Sequence, residues 1–122
     1  MSTKIHKNDA LTLELEEQGD SINVAWTGKS TARNPGDFLS PILTEALGAA
    51  RDGGRRLTLD FRALAYMNSS TITPVLRMLH EAKASDAKVT ILYDASQRWQ
   101  KLSFSALEFF QTPDQRIEIR GV

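Results

Sequence analysis

The chain has no cysteine, which excludes a disulfide framework and any thiolate metal site and leaves the redox compartment unread. It also lacks a charge bias. Fifteen basic side chains offset 15 acidic ones, so no net field draws the protein toward nucleic acid or an anionic lipid surface. Histidine is scarce, with two copies, and the opening MSTKIHKNDA has no apolar core of the kind a signal peptide needs. No stretch approaches the roughly 18 consecutive apolar residues that span a bilayer. These absences predict a cytoplasmic protein with no nucleic-acid partner, no membrane insertion, no metal and no cofactor of its own.

What is present is an ordinary globular composition, 41% hydrophobic and 25% charged over 122 residues, enough for one core and too little for two. Residues 1–9 are polar and read as a flexible N-terminal tail, leaving 10–122 as the domain. Leu11, Leu13 and Leu15 alternate with polar residues, as do Ile22, Val24 and Trp26 after a Gly19-Asp20 turn, which predicts an antiparallel hairpin. After a loop from Gly28 to Gly36, Leu39, Ile42, Leu43, Ala46, Leu47 and Ala50 take helical spacing up to the Asp52-Gly53-Gly54 stop. Pro41 suggests that the regular helix starts only at Ser40, with the proline in its first turn.

Arg56 to Phe61 reads as a third strand, Val89 to Tyr93 as a fourth and Arg116 to Arg120 as a last one. Between them lie a second helix, with Ile72, Val75, Leu76, Leu79 and Ala82 on its buried face, and a third from Gln97 to Phe110. The order β-β-α-β-α-β-α-β predicts an α/β fold, a mixed and mostly parallel sheet with helices packed on it.

The stretch from Leu57 to Leu79 carries the functional argument. A buried-strand pattern runs into Asn68-Ser69-Ser70-Thr71, where Asn68 suits an N-cap and the three hydroxyls fall in the first turn of the second helix, exposed to solvent. Unpaired backbone N–H groups and the helix dipole favour a negative group there. A phosphate on Ser69 would be tolerated by its own domain, yet burying an unpaired dianion in a dry interface costs several kcal/mol, of the order of the roughly 5.5 kcal/mol that inverts a bound-to-free population. Spacing alone is equally consistent with plain capping chemistry and surplus hydroxyls.

Leu59-Asp60-Phe61 followed by Tyr66-Met67-Asn68-Ser69-Ser70-Thr71-Ile72 resembles the signature of STAS domains of the anti-sigma-factor antagonist type, in which Leu-Asp-Leu leads to Asp-Ser-Ser-Gly-Leu-Gly at a helix start. The element order fits that STAS-like fold over nearly the whole chain. Asn68 stands in place of the usual Asp, Thr71 and Thr73 in place of glycines, and Pro74 lies inside the helix. With Phe38-Leu39-Ser40-Pro41-Ile42-Leu43, the Asn-Ser/Thr-Ser version is more similar to a divergent bacterial branch that includes a biofilm-regulating phosphoprotein.

The resemblance implies partner switching. A Ser/Thr protein kinase with a histidine-kinase-like ATPase domain would phosphorylate Ser69, the first serine of the pair, ahead of Ser70 or Thr71. A metal-dependent PP2C-type phosphatase would reverse it, and the unmodified form would hold the kinase, an anti-sigma factor or another regulatory target. Asn68, Ser69, Ser70, Thr73 and Arg77 are the expected contact residues. Arg77 admits two readings, a clamp for phosphate or partner acid and a plain solvated arginine. Asp60 likewise could orient the junction or satisfy local backbone.

An enzyme reading lacks a base for the serines. His6 lies in the tail, and His80 is eleven positions along from Ser69, roughly 16 Å at the helical rise. No carboxylate set has ligand spacing, and Gly53-Gly54 without a following Gly-Lys is a helix stop and no phosphate cradle. A constitutive adaptor is the other alternative. With Trp99, Leu102, Ala106 and Phe110 facing the sheet, Phe104 and Leu107 would point elsewhere as a second contact surface, unless they pack in the core.

Overall fold

Cross-strand pairing sets the core. The computed structural model describes residues 3–122, and in it strands β2 (Leu11–Gln18) and β3 (Ser21–Ser30) form the expected antiparallel hairpin, with Leu13 opposite Trp26 and Leu15 opposite Val24. The chain then crosses between parallel neighbours: β3 pairs with β4 (Arg56–Asp60), β4 with β6 (Lys88–Tyr93), and β6 with β7 (Ile117–Gly121). Their registers line up Ile22, Leu57, Val89 and Ile117 in one row and Val24, Leu59, Ile91 and Ile119 in the next, all buried. Fully burying each such side chain is worth about 1.5–3 kcal/mol over leaving it exposed.

Helices cover this face alone. The opposite rows run Asn23, Thr58, Thr90, Glu118 and Ala25, Asp60, Leu92, Arg120, a largely polar set. A parallel sheet is usually buried on both faces; the threonines and charges explain why this one tolerates a single helical layer. The layer consists of α1 (Gly36–Asp52), α2 (Ile72–Ala84) and α3 (Arg98–Ser105), the last continued by a 3-10 turn over Ala106–Phe110. None of these helices is long and apolar enough to cross a membrane.

Two strands lie outside the expected order. Thr3–Asn8, read from sequence as loose tail, forms edge strand β1, antiparallel to β2 through the whole register from Thr3–Glu16 to Asn8–Leu11. Its polar composition suits an edge, where one side of the strand meets solvent and lysines discourage further pairing. Residue 9 is thus a hairpin turn, with Asp9 at φ 53°, and not a domain boundary. Met1 and Ser2 of the expected tail lie outside the described residues. The second addition is β5 (Leu64–Met67), parallel to the end of β3 beyond β4. Its register with β3 shifts between Gly28 and Lys29, and Gly28 itself, at φ 86°, leaves room for the β1–β2 turn, since a Cβ there would stand 1.9 Å from the Ala10 carbonyl oxygen.

Three details of the helices differ from their sequence patterns. Helix α1 begins at Gly36 and runs through Pro41, because that proline is exposed and solvent can serve the Asp37 carbonyl it frees. On α2, Pro74 and Met78 are buried while Ile72 and Leu76 are only half-buried. The cause is α1, which packs beside α2 and turns the buried stripe toward itself. Pro74 costs little there, since it lies in the first turn of α2 and the Ser70 carbonyl it leaves free belongs to an exposed residue.

On α3, Phe104 and Leu107 take the core reading and not that of a second contact surface. Phe104 and Leu107 are buried, Leu102 and Ala106 are exposed, and Trp99 and Phe110 are half-buried. Gln100 decides the rotation. Fully buried, it donates to the carbonyls of Phe61 (2.8 Å) and Leu64 (3.0 Å) and accepts from the Asp94 N–H (2.7 Å), so it must face the β4–β5 connection, and Phe104 follows one turn later onto Phe61 at 4.5 Å between rings.

Candidate functional site

Strand β5 ends by delivering Asn68 to the mouth of β3. The Asn68 N–H donates to the Ser30 carbonyl (2.9 Å), and its extended backbone, φ −78° and ψ 167°, turns the chain into a 3-10 turn over Ser69–Thr71 that runs directly into α2. The Asn68 carboxamide oxygen accepts from the Thr71 N–H (3.1 Å) and the Thr71 hydroxyl (2.7 Å), while its amide donates to the Ala32 carbonyl (2.8 Å). The capping role expected of Asn68 is therefore present, over a 3-10 turn rather than the α-helix itself.

This network accounts for two departures from the STAS signature. A carboxylate at position 68 could cap Thr71 but could not donate to Ala32, so the asparagine is the residue that satisfies both sides. Thr71, where the signature has glycine, is 0% exposed and its Oγ1 lies 2.7 Å from the Ser30 hydroxyl. A hydroxyl carries one proton, and that of Thr71 goes to Asn68, so Ser30 is the donor in this pair. Thr71 was expected within reach of solvent as a lesser acceptor; burial between Ser30 and Asn68 removes it from that set.

Ser69 and Ser70 stand proud of the network. Both are exposed, and neither hydroxyl has a hydrogen-bond partner among the described residues. Ser69 sits at the rim of an open, mainly apolar groove of about 620 Å³ between α2 and α3, lined by Met67, Ile72, Leu76, Ala106 and Leu107. The half-burial of Ile72 and Leu76 is thus the floor of a depression beside Ser69. Ser70 faces the other way, into a polar groove with Thr73 and Arg77 of α2 and Arg33 of the loop before α1. The structure brings together Asn68, Ser69, Ser70 and Thr73 as one ridge, with Arg77 flanking only the Ser70 side. Sequence reasoning passed over Arg33, 37 positions before Ser70, because no local pattern connects the two.

The titratable groups elsewhere do local work. Asp60 is not part of the junction: it accepts from the Arg62 backbone N–H (3.0 Å) and from its guanidinium (2.9 and 2.8 Å). The hydrogen bond from the Arg62 side chain holds its carboxyl below the usual range. Asp94 and Asp114 are lowered likewise, first by the hydroxyls of Ser96 and Thr112. His80 is exposed, edge-on to Phe110 at 5.0 Å, and His6 lies on β1 at the far side of β2 from the helical junction. Among the described residues no three His, Asp or Glu side chains are grouped as a metal site.

Comparison with protein families finds no matching family model, and no curated protein matches the sequence. Solved structures do match. The unphosphorylated anti-sigma factor antagonist SpoIIAA superposes at TM-score 0.50 and 17% identity over 66% of this chain and 71% of its own. An anti-sigma factor antagonist from Mycobacterium paratuberculosis reaches 0.57 at 16% identity over 90% and 93%. A Shewanella loihica protein with a SpoIIAA-like fold gives 0.56 at 16% over 100% and 90%. The chain therefore has the SpoIIAA-like STAS fold, the α/β architecture expected from its sequence.

Proposed function

We propose that the protein is a non-enzymatic cytoplasmic signalling module that works by partner switching: it binds a Ser/Thr kinase or another regulatory target while Ser69 is free and lets go when Ser69 is phosphorylated. The observation that carries this reading is the Ser69 hydroxyl, exposed and unpartnered at the edge of an apolar groove. A partner side chain seated on Ile72, Leu76 and Leu107 would place Ser69 at the margin of a dry contact. A phosphate there would have to be desolvated for the contact to form, which costs several kcal/mol. The fold likeness to anti-sigma factor antagonists supports the same reading and puts an anti-sigma factor among the candidate targets; the opposing enzymes in this reading are a kinase of the histidine-kinase-like ATPase type and a PP2C-type phosphatase. ATP and metal belong to those partners.

The test is phosphosite mapping on protein from its own cells, with affinity for the captured partner measured in both forms. Ser69→Ala should stay bound and Ser69→Asp should bind more weakly, both folded. Phosphate mapped away from the ridge, or equal affinity of the two forms, would favour a constitutive adaptor. That second reading has its own support in Leu102 and Phe109, 69% and 75% exposed on and after α3.

A further inference from the structure

Ser69 and Ser70 are adjacent in sequence but belong to grooves of opposite chemistry. The groove at Ser69 is floored by apolar side chains; the one at Ser70 is walled by Arg33 and Arg77. Neither guanidinium makes an ion pair or a side-chain hydrogen bond among the described residues, although Asp37 lines the same groove and Glu81 shares the adjoining one with Arg77. Arg56 and Arg116, by contrast, are spent on structure: Arg56 bonds to Val89 O, Thr90 Oγ1, Gln115 O and Arg116 O, and Arg116 to Ala82 O and Ala87 O. Two arginines without partners, from separate elements and lining one groove with an exposed hydroxyl, can receive a phosphoryl group, because the planar fork of guanidinium donors matches its oxygens.

We propose that Ser70 is a second phosphate-accepting site, whose phosphate is held on the protein's own surface by Arg33 and Arg77. The proposal extends the reading of this ridge as a phosphorylated one and assigns its two serines different consequences. In the transfer, the Ser70 Oγ–P bond forms as the bond between the γ-phosphorus and its bridging oxygen breaks in a nucleoside triphosphate; the diphosphate leaves and the hydroxyl proton passes to a base of the transferring enzyme. Phosphate on Ser70 then ties the loop before α1 to α2 and leaves the apolar groove open. Phosphate on Ser69 has no cation lining its groove, remains solvated at the rim and blocks docking.

The 122-residue chain with phosphoserine encoded at position 70, or at position 69, tests this without kinase or partner. The readout is the second phosphate ionisation followed by phosphorus NMR, with thermal unfolding alongside. Paired cations favour the dianion, so at position 70 the ionisation should fall by about one pH unit or more below the free value near 6, and at position 69, where only the helix start favours charge, by clearly less. Arg33→Gln and Arg77→Gln, singly and together, should return the position-70 value toward that of position 69. Asp37→Asn and Glu81→Gln, which remove the acids facing the same groove and Arg77, should lower it further. Equal ionisation at the two serines, or a position-70 value indifferent to every arginine substitution, would overturn the proposal. Loss of partner switching at Ser69 would leave this titration unchanged, so the two readings fail separately.

Discussion

Ser30 and Thr71, 41 positions apart, meet hydroxyl to hydroxyl at 2.7 Å in a buried contact that fastens the end of β3 to the turn opening α2. Ser30 donates, Thr71 accepts, and the Thr71 hydroxyl in turn donates to the Asn68 carboxamide oxygen. The exposed serines thus ride on a turn held from beneath by a short chain of hydrogen bonds, which keeps their ridge in place between the two grooves.

Thr71→Val keeps the volume and removes both roles of the hydroxyl. The Ser30 proton and one lone pair of Asn68 are then left short in a buried site, so the cost should be about 1–3 kcal/mol by urea unfolding. A change below about 0.5 kcal/mol would mean that water takes over the contact.

Asn68→Asp restores the residue usual in the STAS signature and should nevertheless destabilise this chain by about 1–3 kcal/mol at neutral pH, since the amide that serves the Ala32 carbonyl becomes a carboxylate oxygen facing it. The N-cap contact to the Thr71 N–H survives the change. Unfolding free energy compared at equal denaturant slope checks this.

Leu79 is fully buried and Leu76 forms part of the groove floor. Leu79→Ala should cost about 2–5 kcal/mol, and Leu76→Ala distinctly less. The order should reverse for partner binding, where Leu76→Ala weakens affinity and Leu79→Ala acts only through stability. Denaturation and binding measured on both variants separate the two effects.

The Asp60 carboxyl is depressed in the folded state, first by the side-chain hydrogen bond from Arg62. A depressed carboxylate contributes stability above its unfolded value, near 3.9, and loses it as pH falls through the folded value. Stability measured from pH 5 downward should therefore fall less steeply in Asp60→Asn than in the parent. The Arg62 shift has no bearing in this window, because the guanidinium is charged throughout it.

Local chemistry was legible in the chain. Alternation placed the hairpin, the third, fourth and last strands and the single core, and the short-range spacing of Asn68 and Thr71 announced the cap, because a capping bond spans only three residues. The polar edge strand β1 was not legible, since an edge gains its hydrogen bonds from β2 without needing an alternating apolar face of its own. Nor was β5, four residues that pair with β3 across a register shift between Gly28 and Lys29.

Helical period alone leaves the choice of buried face open wherever a helix carries more apolar residues than one stripe uses. On α3 that choice was made by Gln100, whose three hydrogen bonds reach back to Phe61, Leu64 and Asp94 and so carry Phe104 and Leu107 inward. On α2 it was made by α1. By itself the sequence determined that hydroxyls would open a helix after a buried strand. Only the tertiary structure decided that Thr71 is sealed beneath Ser30, that Ser69 borders an apolar groove and that Ser70 shares a groove with Arg33, because these placements join segments whose separation along the chain carries no periodic signal.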